Sequence, residues 1–540
     1  MKDEADRVAR LQGEPHALTA GGVTRRETPL WTIENAGPFE TATLRRRLVI
    51  VGGLDGNIES ARAALAVVRW FKTNAPSSYR RDWSVSALPL ADPDANAALR
   101  SAAFPPTRGF FDDPEQPETR YVWRWVEYQA PDLVLEIRAA DALRIVGSSG
   151  SGMAANGELP VGSLAAALAT APDGAAPGPV PAVLVEARAA DAPAILPAVL
   201  PKAPSGRSAL RAAIASRVAR EPLALARMLA QRYPAAAAMS YIPALSWVHA
   251  LKVAELTGDA SLRAKVIAQV QPWLSGTTPL FDARVQLTSV AGTMVFRELA
   301  EGSDEARAAA AKLADEGFAK ALAEKSPGNP EFGQGWTDDM FMGTVILANH
   351  GTAEGRDAAA RLLLAYAERL QRPSGLFNHA PNAPAAWGRG NGFAAFGLME
   401  TLSALPQNHP SRAALLAIYQ RQMAAMKATQ APDGMWRQVV DVEGSYREES
   451  VTAMTLTVMA RGLRRGWLDK SYLPVVRKAW PALLGHIAAD GAIADICTST
   501  GAGPSLRYYL DRASITGPDD RGGAMALGAA LEMYELNRAM

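Results

Sequence analysis

Trp387-Gly388-Arg389-Gly390-Asn391-Gly392-Phe393 is the stretch on which the reading of this chain turns. Three glycines alternate with Arg389 and Asn391, an aromatic closes each end, and a helical pattern follows over 391–404. Glycine permits close backbone approach and unusual dihedral angles. An arginine held among glycines and aromatics suits a planar carboxylate, gripped by two parallel hydrogen bonds. Upstream stand Trp336-Thr-Asp-Asp-Met-Phe-Met342 and Gly375-Leu-Phe-Asn-His379. Downstream stand Gly434-Met-Trp-Arg-Gln-Val-Val-Asp441 and Tyr446-Arg-Glu-Glu-Ser-Val-Thr-Ala-Met454.

Around these motifs the pattern is helical from about residue 207 to the end. Amphipathic segments with a 3.6-residue period cover 208–231, 244–257, 259–275, 287–300, 303–324, 339–350, 353–371, 391–404, 411–429, 450–465, 471–487 and 522–539. Gly, Pro, Asp or Asn commonly stand at the breaks, so roughly twelve helices are expected. An even count of this size suits a closed toroid of paired helices, which would gather its loops into one cleft. A solenoid is the alternative, but no fixed short repeat is visible.

The first 200 residues read differently. Leu48-Val-Ile-Val-Gly-Gly53 is a short apolar run ending in glycines, as in a buried strand, and 58–73 reads as a helix. Val85-Ser-Ala-Leu-Pro-Leu90, Leu133-Val-Leu-Glu-Ile137 and Ala182-Val-Leu-Val-Glu186 read as further strands. Strands alternating with helices predict a mostly parallel α/β sheet. Residues 154–182 read as a loop, and Leu200-Pro-Lys-Ala-Pro-Ser-Gly206 as the linker. The expectation is an α/β domain over 1–200 and an all-α domain over 207–540.

Composition limits the function classes. The 540 residues are 48% hydrophobic and 21% charged, with a formal net charge of +1. No strong field draws in nucleic acid or a membrane surface. Cys497 is the single cysteine, which excludes an internal disulfide and reads as a buried small residue. The opening Met1-Lys-Asp-Glu-Ala-Asp6 has no apolar stretch behind it. That suits a bacterial cytoplasmic protein, or a periplasmic one whose leader has been removed. No cofactor is expected.

The motifs from 336 to 524 resemble the unsaturated glucuronyl and rhamnogalacturonyl hydrolases, glycoside hydrolase families 88 and 105. The Trp-x-Asp-x-x-Phe-Met pattern stands as Trp336 to Met342, Gly-Leu-Phe-x-His ends at His379, and Trp-x-Arg-Gly-Asn-Gly-Trp has Phe393 in its last place. Gly434-Met-Trp-Arg-Gln438 and Tyr446-Arg-Glu-Glu-Ser450 fit, as do Cys497-Thr-Ser-Thr-Gly501, Tyr508-Tyr509 and Gly522-Gly-Ala524. Two positions depart from the pattern. Leu287-Thr-Ser-Val-Ala-Gly292 lacks the early aspartate, and Asn329-Pro-Glu-Phe-Gly-Gln-Gly335 lacks a histidine.

The resemblance implies an (α/α)6 barrel acting on oligosaccharides that end in a 4,5-unsaturated uronic acid. Protonation at C4 of that enol ether puts oxocarbenium character at C5, where water adds. The hemiketal then opens to a keto acid and the aglycone leaves. One carboxyl group can serve as acid and then base, unlike the two carboxyls of ordinary glycosidases. Asp338 is the residue implied for that role, with Trp336, Met340 and Phe341 as an apolar lining that raises its pKa. Read without the resemblance, Asp338 is a helix N-cap with Asp339 in the first turn, and Asp339 is the competing acid. His379 would bond the sugar or orient Asp338. Arg389 would grip the uronate carboxylate beside Asn391, and Trp387 and Phe393 would stack on sugar faces. Trp436 and Arg437 would shape the rim, and Glu448 would brace the cleft.

The first domain resembles a degenerate zinc carboxypeptidase. Val51-Gly-Gly-Leu-Asp-Gly-Asn57, Asp92-Pro-Asp94 and Leu133-Val-Leu-Glu-Ile-Arg138 carry that likeness, with Glu186 in the place of the general base. Asp55, Ile58 and Arg138 stand where the metal ligands belong, so a non-catalytic domain without metal is expected. A metal held by Asp55 and Glu59, giving a metallopeptidase or deacylase, is one alternative. A carbohydrate-binding protein whose barrel has lost catalysis is the other, motivated by the missing early acid.

Overall fold

The computed structural model describes residues 1–11, 16–35, 37–95, 103–106, 117–153, 157–170, 179–302 and 306–540. Among the described residues seven strands form the N-terminal sheet: β1 (His16–Val23), β2 (Pro29–Asn35), β3 (Arg46–Gly52), β4 (Trp83–Leu88), β5 (Leu133–Ala139), β6 (Arg144–Gly147) and β7 (Ala182–Ala187). Their order is β1-β2-β4-β3-β5-β7-β6. The four central strands β4, β3, β5 and β7 run parallel. The β1–β2 hairpin and β6 add antiparallel edges, so the sheet is mixed.

Along β3, Leu48 and Ile50 join a core shared with the helices Ile58–Thr73 and Ala192–Val199. Val49 and Val51 join a second core with Trp123, Trp125 and Leu168. Burial on both faces explains the unbroken apolar runs of the central strands. Within the expected loop 154–182, Leu164–Thr170 is helical and residues 154–156 and 171–178 lie outside the described residues.

The expected helix over 208–231 is two helices, Ala209–Val218 and Pro222–Arg232. Proline at the first position of the second fits a helix start and cannot continue the preceding one. Ala209–Val218 packs on the N-terminal side through Leu210 and Ile214, and Arg211 pairs with Asp132.

Among the described residues twelve helical segments then alternate between an outer and an inner ring. The outer ring is Pro222–Arg232, Ala260–Leu274, Arg307–Ala321, Ala353–Leu370, Arg412–Ala428 and Leu473–Gly485. The inner ring is Tyr241–Thr257, Leu287–Gly292 continued by Met294–Ala300, Thr337–Met342 continued by Val345–Asn349, Gly388–Ala404, Glu449–Arg464 and Asp520–Ala539. Each inner segment packs on the next, and Asp520–Ala539 returns to Tyr241–Thr257, closing the ring. This is an (α/α)6 barrel. No helix among the described residues is long and apolar enough to cross a membrane.

The connections are unequal, and that places the site. At the C-terminal ends of the inner helices they are short, such as 258–259 and 350–352. At the N-terminal ends they are long: 322–336, 371–387, 429–448 and 486–519. The motifs singled out between 336 and 524 lie at or beside this loop-rich end.

Candidate active site

The Trp387–Phe393 stretch is not a loop. Its helix begins at Gly388, so Arg389 and Asn391 sit in the first two turns. A methyl at Gly388 would stand 2.6 Å from the Arg437 carbonyl, and one at Gly390 2.6 Å from Thr337 Oγ1. These glycines let the helix start press against the neighbouring loop and the start of the next inner helix.

That neighbour carries the acids. Trp336 precedes the helix Thr337–Met342, and the Thr337 N–H donates to the His379 carbonyl at 3.0 Å. Asn391 fixes the loop bearing His379, accepting from Phe377 N–H at 2.8 Å and donating to the carbonyls of Phe377 and Trp387 at 3.0 Å. His379 Nε2 consequently lies 3.2 Å from Asp338 Oδ2, and its Nδ1 2.8 Å from the Tyr509 hydroxyl. The His379 ring sits 4.5 Å from Trp387 and 5.4 Å from half-buried Trp336, centroid to centroid.

The two adjacent acids differ sharply. Asp339 Oδ2 accepts from the N–H groups of Gln334 (2.8 Å), Gly335 (2.6 Å) and Trp336 (3.2 Å) and from the Tyr366 hydroxyl (2.7 Å). It ties down the loop, and burial pushes its carboxyl up to about 6. Asp338 is only 4% exposed, and its Oδ1 has no hydrogen-bond partner. The indole N–H of Trp387, in the same wall, is also buried without a partner.

Several expected contacts turn out to be scaffolding. Arg389 is fully buried and donates to the carbonyls of Cys497 (2.6 Å) and Ser499 (2.7 Å), so its two outer nitrogens hold a loop rather than a ligand. Phe393 packs against Tyr241 and Phe341 in the core, out of reach of a sugar face. Met340 and Phe341 likewise face the core, leaving Trp336 and Trp387 as the aromatics beside the dyad. Trp436 is fully buried and donates to the Met426 carbonyl at 2.7 Å. Arg437 is no rim residue either: it reaches the carbonyls of Thr429 and Glu443 and, in the other domain, Thr19 Oγ1 at 3.3 Å. Glu448 caps its helix through Ser450 and Val451 and accepts from Cys497 N–H at 3.0 Å.

The sequence reading left two residues of the wall without a role. Tyr509 orients His379, and Arg512 stacks over Trp387 (4.7 Å), Tyr509 (4.7 Å) and Tyr508 (5.1 Å). The Tyr508-Tyr509 pair was the available signal. In the N-terminal domain, Glu59 pairs with Arg62, Arg138 with Glu136 and Glu186 with Arg144. A separate cavity of about 780 Å3 opens at the other end of the barrel, lined by Glu298, Arg461 and Glu532 among others. Of the motif residues it meets Phe341, while Asp338, His379 and Arg389 do not line it.

Known proteins share this architecture. The unsaturated rhamnogalacturonyl hydrolase YesR of Bacillus subtilis is 25% identical over 251 residues, 41% of this chain and 69% of that protein. A family 105 glycoside hydrolase of C. acetobutylicum superposes with a TM-score of 0.53 at 21% identity, over 58% of this chain and all of that one. A possible GH105 member from Klebsiella pneumoniae gives 0.52 at 20% identity, over 59% of this chain and 93% of that one. Residues 228–537, more than half of the chain, match the profile of Glycosyl Hydrolase Family 88, and to that family of glycoside hydrolases this chain belongs.

Proposed function

We propose that the chain is an unsaturated uronyl hydrolase. It adds water across the C4=C5 bond of a terminal 4,5-unsaturated uronic acid on an oligosaccharide left by a polysaccharide lyase, releasing a keto-uronic acid and the shortened sugar. The observation that carries the reading is the contrast between the two acids: Asp338 keeps an unpartnered oxygen beside His379, while Asp339 is fully engaged in the loop. The name of the Bacillus subtilis relative points to the same substrate class.

Asp338 gives its proton to C4 and then receives one from the water that adds at C5. His379 orients the carboxyl, and Trp336 and Trp387 flank the sugar. Residues 207–540 hold this chemistry. We read residues 1–200 as a non-catalytic, carboxypeptidase-like accessory domain. Support comes from Asp55, Ile58 and Arg138 in place of the metal ligands and from the pairing of Glu186 with Arg144.

The test is loss of the ultraviolet absorbance of the unsaturated uronate across a panel of unsaturated disaccharides. Asp338→Asn should lower turnover at least about 10³-fold, since each proton transfer is typically worth 10²–10⁴. Uronide binding by calorimetry with no turnover on any of the panel would replace this reading with a binding protein.

A further inference from the structure

The N-terminal domain grips the loops that build the catalytic wall. Arg437 reaches Thr19 Oγ1, Arg447 reaches Glu34 at 3.7 Å and the Ala20 carbonyl at 3.3 Å, and Gly444 approaches Gly22 and Val23. One of these contacts leads directly to the dyad. Arg507 Nη1 donates to the carbonyls of Thr24 (3.0 Å) and Arg25 (2.8 Å), in the turn between β1 and β2. Its Nε and Nη2 lie 2.7 Å from the Asp511 carboxylate oxygens. Arg507 therefore joins the domains while it frames the short helix Leu506–Leu510, which carries Tyr509.

The turn itself is anchored. Thr24 Oγ1 contacts the Asp94 carboxylate and accepts from the N–H groups of Arg26 (3.1 Å) and Thr28 (3.0 Å), and Arg25 N–H donates to Glu118 at 3.2 Å. At the other end of the path, the Tyr509 oxygen accepts from Gly503 N–H at 3.3 Å. The same hydroxyl pairs with His379 Nδ1, and Nε2 of that ring faces Asp338, so a shift of Tyr509 would turn the ring against the carboxyl.

We propose that Arg507 is a positioning residue through which the N-terminal hairpin sets the His379–Asp338 geometry, by way of Tyr509. The accessory domain is then a working part of the active site. This rests on the hydrolase reading for its kinetic readout and on the geometry alone for its spectroscopic one.

The experiment is a cycle of Arg507→Ala, Tyr509→Phe and the double variant in the full chain. Arg507→Ala should lower kcat about tenfold to a hundredfold with KM little changed, the scale of a catalytic group displaced by a fraction of an ångström to an ångström. The double variant should be no slower than Tyr509→Phe alone, because both act on one path. Arg507→Lys, which keeps one donor toward the turn, should restore part of the loss. In ¹⁵N-histidine-labelled protein, the His379 resonance, assigned by its loss in His379→Gln, should move in Arg507→Ala as it does in Tyr509→Phe. Multiplying losses, or an unmoved His379 resonance, would overturn the proposal. If wild type turns over no unsaturated sugar, the hydrolase reading falls and the resonance still decides this one. Should Arg507→Ala fail to fold, Thr24→Val, which removes the Thr24 hydroxyl from Asp94 and from the N–H groups of Arg26 and Thr28, is read in the same way.

Discussion

Replacing each of the two neighbouring acids separates reacting group from scaffold. In Asp339→Ala, three N–H groups and the Tyr366 hydroxyl lose their acceptor. A buried donor left open costs about 1–3 kcal/mol. Water reaching the half-buried loop trims the sum, so about 3–5 kcal/mol is expected, at the large end for one substitution. In Asp339→Asn the amide oxygen can take the Oδ2 place, so stability should stay within about 2 kcal/mol and turnover should survive. Burial raises the Asp339 carboxyl to about 6 from 3.8, so the folded state holds its proton more tightly than the open chain. The associated stability is full below about pH 4 and is lost as the pH rises through about 6, a span of about 3 kcal/mol at 1.36 kcal/mol per unit. Asp339→Asn lacks that slope. Asp338→Asn should do the reverse: a melting temperature near that of wild type, because an amide of the same shape can keep the 3.2 Å contact with His379, with turnover gone because the amide has no proton to give. Thermal melts from pH 4 to 8, with the absorbance assay on the same samples, measure both quantities. If Asp339→Asn keeps its melting temperature and loses turnover while Asp338→Asn stays active, the assignment is reversed.

Arg389→Lys keeps the charge but not both carbonyl bonds, so it should cost about 1.5–3 kcal/mol and lower kcat/KM along with the melting temperature. Unchanged stability with selective loss of activity on the free uronate over its methyl ester would return Arg389 to the carboxylate. Gly390→Ala drives a methyl toward Thr337 Oγ1 and should destabilise by about 1–3 kcal/mol while slowing turnover, since Thr337 begins the helix of Asp338. Normal kinetics there would mean that the helix start moves freely. Arg447→Ala leaves Asp433 and Glu34 buried without their cation, and about 3–5 kcal/mol should be lost in chemical denaturation. An unshifted transition would show that the domain contact does not depend on this cluster.

Asp338 and His379 were singled out through the family resemblance, whose motifs are each local in the chain; without it Asp338 read as a helix N-cap. Outer helices such as Ala353–Leu370 and Arg412–Ala428 were legible because each buries one stripe, and β3, β4, β5 and β7 because both their faces are buried. β1 and β2 were missed. β1 contains Gly21-Gly22, which weakens a strand pattern, and those glycines are there because the Tyr121 and Trp125 rings lie against them. The role of Arg389 was misread for a related reason: Gly-Arg-Gly written for close helix packing looks the same as Gly-Arg-Gly written for a loop. Tyr509 meets His379 across 130 residues of chain, so no spacing rule could join them.

The closure of the inner ring has a bearing on how this chain is made. Its seam joins Tyr241–Thr257 to Asp520–Ala539, where Gly528 lies against the His249 ring and Gly523 against Tyr233. Contacts so distant along the chain require most of the entropy of loop closure before they return any stabilisation, which slows folding. While the ribosome still shelters the final helix, the other five inner segments stand as an open arc with an apolar seam on each side. Such arcs are the species that associate wrongly. The barrel therefore closes only once Asp520–Ala539 has emerged, long after the strands of the N-terminal sheet are free to pair.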